Sequence, residues 1–271
     1  MNGLCGITGV ALYGAALAAG GVFGVGAYRW GWLTGPAAAW AAGMGATLLM
    51  AGPAWAVPAL AFFGGSTAWS WAGRRAKDAL AYADESGRRR TARQVLANGG
   101  VAWLCALGSL WSPHPVWAAA GWAALAAAAA DTWATEIGAW VGHAPRNAWT
   151  GRGLARGASG GMTWTGSAAA AAGSLSVTAP LLGLVPHAAY DAVLLAGVAG
   201  VGGAIADSLL GATVQARYRD PVSGLLVEHP PAPGSAPTRG WPHLRNDAVN
   251  LLGTGTAALL ASSYYVLLLS F

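Results

Sequence analysis

Asp131 and Glu136 stand five residues apart in AAAAADTWATEIGAW, residues 126–140, where every neighbour but two threonines is apolar. Two more acids interrupt apolar runs: Asp207 in GVGGAIADSLLGATVQ and Asp247 in NDAVNLLGTGT. A carboxylate in such surroundings is costly, so it pairs, holds a proton or binds a cation. No Lys or Arg falls within any of these runs, which leaves protons or a cation as the partners. Carboxylates flanked by amides and hydroxyls offer hard oxygen ligands, a set that suits Mg²⁺ held between one or two carboxylates and substrate phosphates. Read this way, the metal set is Asp131, Asp207, Asp247, Asn246 and Asn250, with Glu136 completing it or orienting a substrate. Thr132, Thr135 and Ser208 serve equally well as interhelical hydrogen-bonding groups. His143 lies at the mouth of a connecting loop.

A phosphate also needs donors. ARGASGGMTWTG, residues 155–166, is a Gly/Ser turn running into an apolar segment, so Ser159, Gly160 and Gly161 would aim backbone N–H groups at an anion from a helix N-terminus. DESGRRRTARQVLANGG, residues 84–100, leads the arginines from Arg88 to Arg93 (Arg88, Arg89, Arg90 and Arg93) into a segment that opens with Gln94 and Asn98, as a solvated basic loop or as a phosphate clamp.

These residues must be carried by helices. At about 100° per residue, Asp131, Thr132, Thr135 and Glu136 share one sector with Trp133 and Trp140 opposite. The same rotation lines Gly200, Gly203, Ala204, Asp207, Ser208, Gly211 and Gln215 along a second stripe, and Asn246, Asp247, Asn250, Gly253 and Thr254 along a third. The chain is 55% hydrophobic and 9% charged, with 41 glycines and 15 tryptophans in 271 residues. Soluble domains carry about a quarter charged residues, so the composition points to an all-α, polytopic membrane bundle. Measured against the 17–25 residues a membrane helix needs, eight segments qualify: about 4–27, 34–51, 54–72, 95–111, 115–142, 161–183, 188–214 and 247–270. The first lacks the basic start of a signal peptide and reads as a true span. The chain forms one transmembrane domain on this reading.

Charge supports that count. Seven Lys and Arg lie in loop 73–94, three in loop 143–160, four in loop 215–246, and Arg29 between the first two spans. With eight crossings all fall on one side, the cytoplasmic one, and both termini lie outside. The net charge of +5 is then an orientation signal, and no nucleic-acid partner follows from it. Loop 215–246 is proline-rich and reads either as an extended lid or as a disordered linker. Cys5 and Cys105 have no metal-site or disulfide spacing and read as small core residues.

The motifs QVLANGGVAWL, ADTWATEIG, GASGGMTWTG, ADSLLGATVQ and NDAVNLL occur in an order that resembles the domain-of-unknown-function-92 family of membrane proteins, over about residues 30–270. That family includes phytyl-phosphate kinases and the animal transmembrane protein 19. The resemblance implies a membrane enzyme moving a phosphoryl group, from CTP, to an isoprenyl monophosphate to give the diphosphate. The shared motif positions are Gln94, Asn98, Asp131, Thr132, Glu136, Ser159, Gly160, Gly161, Asp207, Ser208, Gly211, Gln215, Asn246, Asp247 and Asn250. Ala158, Thr163 and the proline-rich loop depart from the family pattern, and they bear on donor and substrate identity. The expectation is an inner-membrane protein with its site facing the cytoplasm, Asp131, Glu136, Asp207 and Asp247 catalytic, and Arg88 and Arg93 assisting the substrate residues.

Other chemistries use similar residues. A CTP-dependent cytidylyltransferase or a prenyltransferase would act on the same kinds of lipid phosphate, although prenyltransferases carry two strong carboxylate clusters where NDAVN has one acid. An ion-coupled transporter would also place acids in Gly-interrupted helices. The sequence holds no evident inverted repeat, and its polar positions gather toward one side.

Overall fold

A computed structural model describes residues 2–73, 89–141, 143–154, 158–222, 224 and 226–268. Among them are eight α-helices: α1 (Asn2–Arg29), α2 (Gly35–Ala51), α3 (Pro53–Ala72), α4 (Ala92–Trp111), α5 (Pro115–Val141), α6 (Trp164–Thr178), α7 (Tyr190–Thr213) and α8 (Asn246–Leu268). The eight apolar segments coincide with these helices to within a few residues. Two antiparallel ladders of two-residue strands were not expected: β1 (Arg146–Asn147) with β2 (Gly161–Met162), and β3 (Tyr218–Arg219) with β4 (Leu226–Val227). Both lie in the loops. By length and apolarity, Ala11–Arg29 and His187–Thr213 qualify as membrane-crossing helices among the described residues. Helices α2 and α6 have 17 and 15 residues. The others dilute their apolar character with Gly, Trp and polar groups.

Helix α5 is the axis of the bundle. Every residue from Ala119 to Ala130 is buried, and α3, α4, α6, α7 and α8 all pack on it. The alanine run makes this possible, because short side chains let five neighbours approach one backbone and gain dispersion contacts on all sides. At Gly200 of α7 an added Cβ would sit 2.5 Å from the Ala126 methyl, so any larger residue would push α7 off the axis. Helix α1 lies outermost and packs along α2.

Prolines shape the helices through the donors they lack. Pro58 lies within α3 and cannot donate to Ala54 O; the Trp122 indole of α5 does so instead, at 2.7 Å. A missing helix bond thus becomes an interhelical one. Pro180 ends α6, and the expected single span 161–183 divides into α6 and a 3₁₀ turn, Ala179–Gly183. Helix α5 runs unbroken past Gly138 to Val141. Gly138 serves close packing instead, with Thr163 Oγ1 and the Gly166 backbone of α6 against it. Cys105 is buried and free.

Candidate functional site

Asp207 on α7 is the meeting point of four helices. Its carboxyl is in hydrogen-bonding contact with that of Asp131 on α5. From α8, the Asn250 amide, assigned so that its nitrogen donates, reaches Asp207 Oδ2 and Asn246 O at 3.1 Å each. Asn98 of α4 packs against Asn250 on the other side of that amide, and its Nδ2 donates to Gln94 O at 3.0 Å. Gly203 and Gly253 let the helices close here, since a Cβ on Gly253 would lie 3.1 Å from the Asp207 Cβ. Two carboxyls in contact share a proton or bridge a cation. Asp131 sits ten residues, or about 15 Å, from the end of α5, so the pair is deep in the bundle.

The acids divide differently from the three-helix cluster expected. Asp247 does not line the cavity around this pair; it occupies the first turn of α8, about 60° round the helix from Asn250, where an acid complements the helix dipole. Among the described residues no group of three or more His, Cys, Asp and Glu gathers at one point. Glu136 is about 7.5 Å further along α5 than Asp131. It is buried, accepts from Ser70 Oγ of α3 at 2.7 Å, and lies against Gly73.

Arg90 lies within electrostatic reach of Glu136. Its backbone bridges the segment after α1, donating to Trp32 O at 2.9 Å and accepting from Thr34 N at 3.0 Å. Its guanidinium lies over the Phe63 ring and 3.5 Å from Thr67 Oγ1. Burial holds that guanidinium below its ordinary pKa, and the Glu136 carboxylate pulls it back up. Arg89 reaches over Tyr28 and, like Arg90, lines the cavity. Of the arginines expected here, Arg93 is exposed and off the cavity wall, and Arg88 lies outside the described residues. Arg93 points away because it sits in the first turn of α4, one residue before Gln94. Gln94 completes a capping box with Thr91, accepting from Thr91 N at 2.9 Å. It and Asn98 still border the cavity.

The Gly/Ser turn does structural work. Gly160 takes φ +73°, and a Cβ there would strike the Ala212 backbone at 2.3 Å, so the turn is seated on the last turn of α7. Ser159 Oγ donates to Gln215 Oε1 at 2.5 Å, and Gly211 leaves room for both. The helix N-terminus lies further on: Thr163 caps α6 by accepting from Gly166 N at 2.9 Å. Ser159, Gly160 and Gly161 face the cavity from the other side. Thr132 returns its hydroxyl to Ala128 O at 2.8 Å, while Thr135, Ser208 and His143 also line the space.

The described residues of loop 215–246 border this site. Its β3–β4 ladder brings Glu228, His229 and Asp220 to the cavity. Glu228 pairs with Arg217 at 3.1 Å, accepts weakly from Gln215 Nε2 at 3.5 Å, and acts electrostatically on both Asp131 and Asp207. Sequence reading passed over Glu228, and took Arg89 and Arg90 only as members of the basic run from Arg88 to Arg93. An acid surrounded by prolines, or one arginine among several, has no periodicity to single it out.

The cavity encloses about 1260 Å³ and has two characters. One arm, between α1, α2 and α3, is walled by Phe23, Ala41, Met44, Leu48, Leu60 and Phe63. The other holds the carboxyl pair, Asn98, Asn246, Asn250, Glu136 and the arginines. Asp131, Asp207, Ser208 and Asn246 form an oxygen-only set that suits a hard divalent ion. No solved structure matches the chain. A family model described as Integral membrane protein DUF92 matches residues 18–258, most of its length. With its helical bundle and its acid-lined cavity, the chain belongs to this family of integral membrane proteins.

Proposed function

We propose that the protein is a Mg²⁺-dependent phosphotransferase that converts an isoprenyl monophosphate, such as a phytyl-like one, to the diphosphate, with CTP as donor. The observation that carries this reading is the single cavity joining an apolar arm to a polar chamber with carboxyls, amides and arginines. An amphiphile with an anionic head matches both halves. A transporter path would need no such long apolar arm, and the opposed Asp131 and Asp207 carboxyls suit phosphate-bound metal. In this reading all eight helices cross the inner membrane, both termini lie outside, and the loop-rich end with the site faces the cytoplasm and its nucleotides.

The acceptor phosphate is already ionised near neutral pH, its second pKa being about 6, so no strong general base is required. One of its oxygens forms a bond to the γ-phosphorus of the donor as the bond to the β–γ bridging oxygen breaks, releasing CDP. Asp131 and Asp207, with Asn246 and Ser208, would hold Mg²⁺, which when bound neutralises charge on the donor phosphates. Asn250 orients Asp207, and Glu228 with Arg217 places the lid. Arginines at the chamber offset charge that develops on the transferred group. The test is purified protein with labelled CTP, Mg²⁺ and prenyl monophosphates: CDP and the prenyl diphosphate should form. Asp207→Asn should lower kcat by about 100-fold or more while melting as the parent does, because it relieves a carboxyl–carboxyl contact. Pyrophosphate release, or full activity of that variant, would overturn the reading.

A further inference from the structure

The cavity holds two separate polar centres. The carboxyl pair of Asp131 and Asp207 lies deep, whereas Arg89 and Arg90 line the same cavity from the loop before α4, Arg90 against Phe63 of the apolar arm. Phe63 belongs to the arm and carries the Arg90 guanidinium on its face, at 5.7 Å from the ring centroid. That position is fixed by the backbone of Arg90, bonded on both sides to the Trp32–Thr34 segment. Thr67 and Ser70, one turn apart on α3, edge the same junction. A half-buried guanidinium with spare donors gains from an anion with several acceptor oxygens. The tail of an amphiphile lying between α1, α2 and α3 would end at this junction.

We propose that Arg89 and Arg90 form the site for the acceptor's terminal phosphate monoester, separate from the carboxyl–amide cluster that takes the donor. The assignment rests on the phosphotransferase reading for the word acceptor, but the binding site itself does not depend on turnover. It orients the substrate: the tail points along α2 and α3, and the monoester faces the deep acids. Thr67 and the Phe63 ring hold the Arg90 side chain at the junction, and the Glu136 carboxylate, tied to Ser70, adds its charge there.

The test is calorimetric titration of the detergent-solubilised full chain with dodecyl monophosphate and with dodecanol, in chelator and without nucleotide. Arg90→Gln and the exposed-site variant Arg89→Gln should each weaken the monophosphate by about tenfold or more and leave the alcohol unchanged. Arg90→Lys should recover part of the loss. Asp207→Asn, though inactive in turnover, should bind the monophosphate like the parent. Failure of the parent to make any diphosphate would remove the phosphotransferase reading and leave this site standing. Unchanged monophosphate affinity in both arginine-to-glutamine variants would overturn it. So would an equal loss for alcohol and phosphate, or a loss seen in Asp207→Asn instead.

Discussion

At the scale of single residues, the site is assembled from small groups that permit contact and polar groups that exploit it. Asp207 meets Asp131 and Asn250 because Gly203 and Gly253 bring three backbones together around it. The Ser159–Gly160 turn illustrates how a motif residue can matter for a reason other than chemistry. Its expected task was to present N–H groups to an anion, yet its left-handed glycine and its contact with Ala212 make it the clasp between loop 143–160 and α7. Gly160→Ala should therefore cost about 2–4 kcal/mol, the sum of the backbone penalty and the overlap. Gly153→Ala, with open space around it and an ordinary φ, should change stability by about 0.5 kcal/mol or less. Denaturant unfolding in detergent compares the two, and equal losses would sink the clasp argument.

At the scale of elements, α5 acts as the shared wall and the other helices decide what faces it. Its buried alanine run gives way to Asp131, Thr135 and Glu136 where the surrounding helices separate to form the chamber. Helix α2 controls the apolar arm. A side chain built on Gly45 would project into space within that arm, whereas Gly43 lies on the exposed side of the same helix. Gly45→Phe should reduce kcat/KM for long prenyl monophosphates by about tenfold, the loss of one or two buried methylene contacts, and spare short ones. Gly43→Phe should leave the chain-length profile as it is. A profile unmoved by Gly45→Phe would mean that the tail lies elsewhere. The described residues of loop 215–246 also behave as an element: the Arg217–Glu228 pair and the β3–β4 ladder give them fixed structure against the cavity, where the prolines alone left lid and linker open.

For the whole molecule, the helix ends that carry the site, the C-termini of α3, α5 and α7 and the N-termini of α4, α6 and α8, gather at one loop-rich end. The Lys and Arg residues belong to those same connections, so the proposed topology has a direct check. In a cysteine-free background, Ser112→Cys in the short turn after α4 should react with an impermeant thiol reagent added to intact cells. Thr150→Cys in loop 143–160 should react only after the membrane is opened; the reverse pattern would invert the topology. Sequence alone determined the helical class and the helix limits, because apolar runs and prolines act over one or two turns of chain. It also marked Asp131, Asp207 and Asn250, since an uncompensated polar group in an apolar run is conspicuous wherever it lands. Only tertiary structure decided which acids meet. Asp247 differs from Asn250 by about 60° of rotation, enough to place one beside Asp207 and the other off the cavity wall. Arg90 and Glu228 reach the cavity through backbone bridges and a lid whose partners are distant in sequence. Local pattern carries no record of such long-range packing, which is set by how closely whole helices can approach.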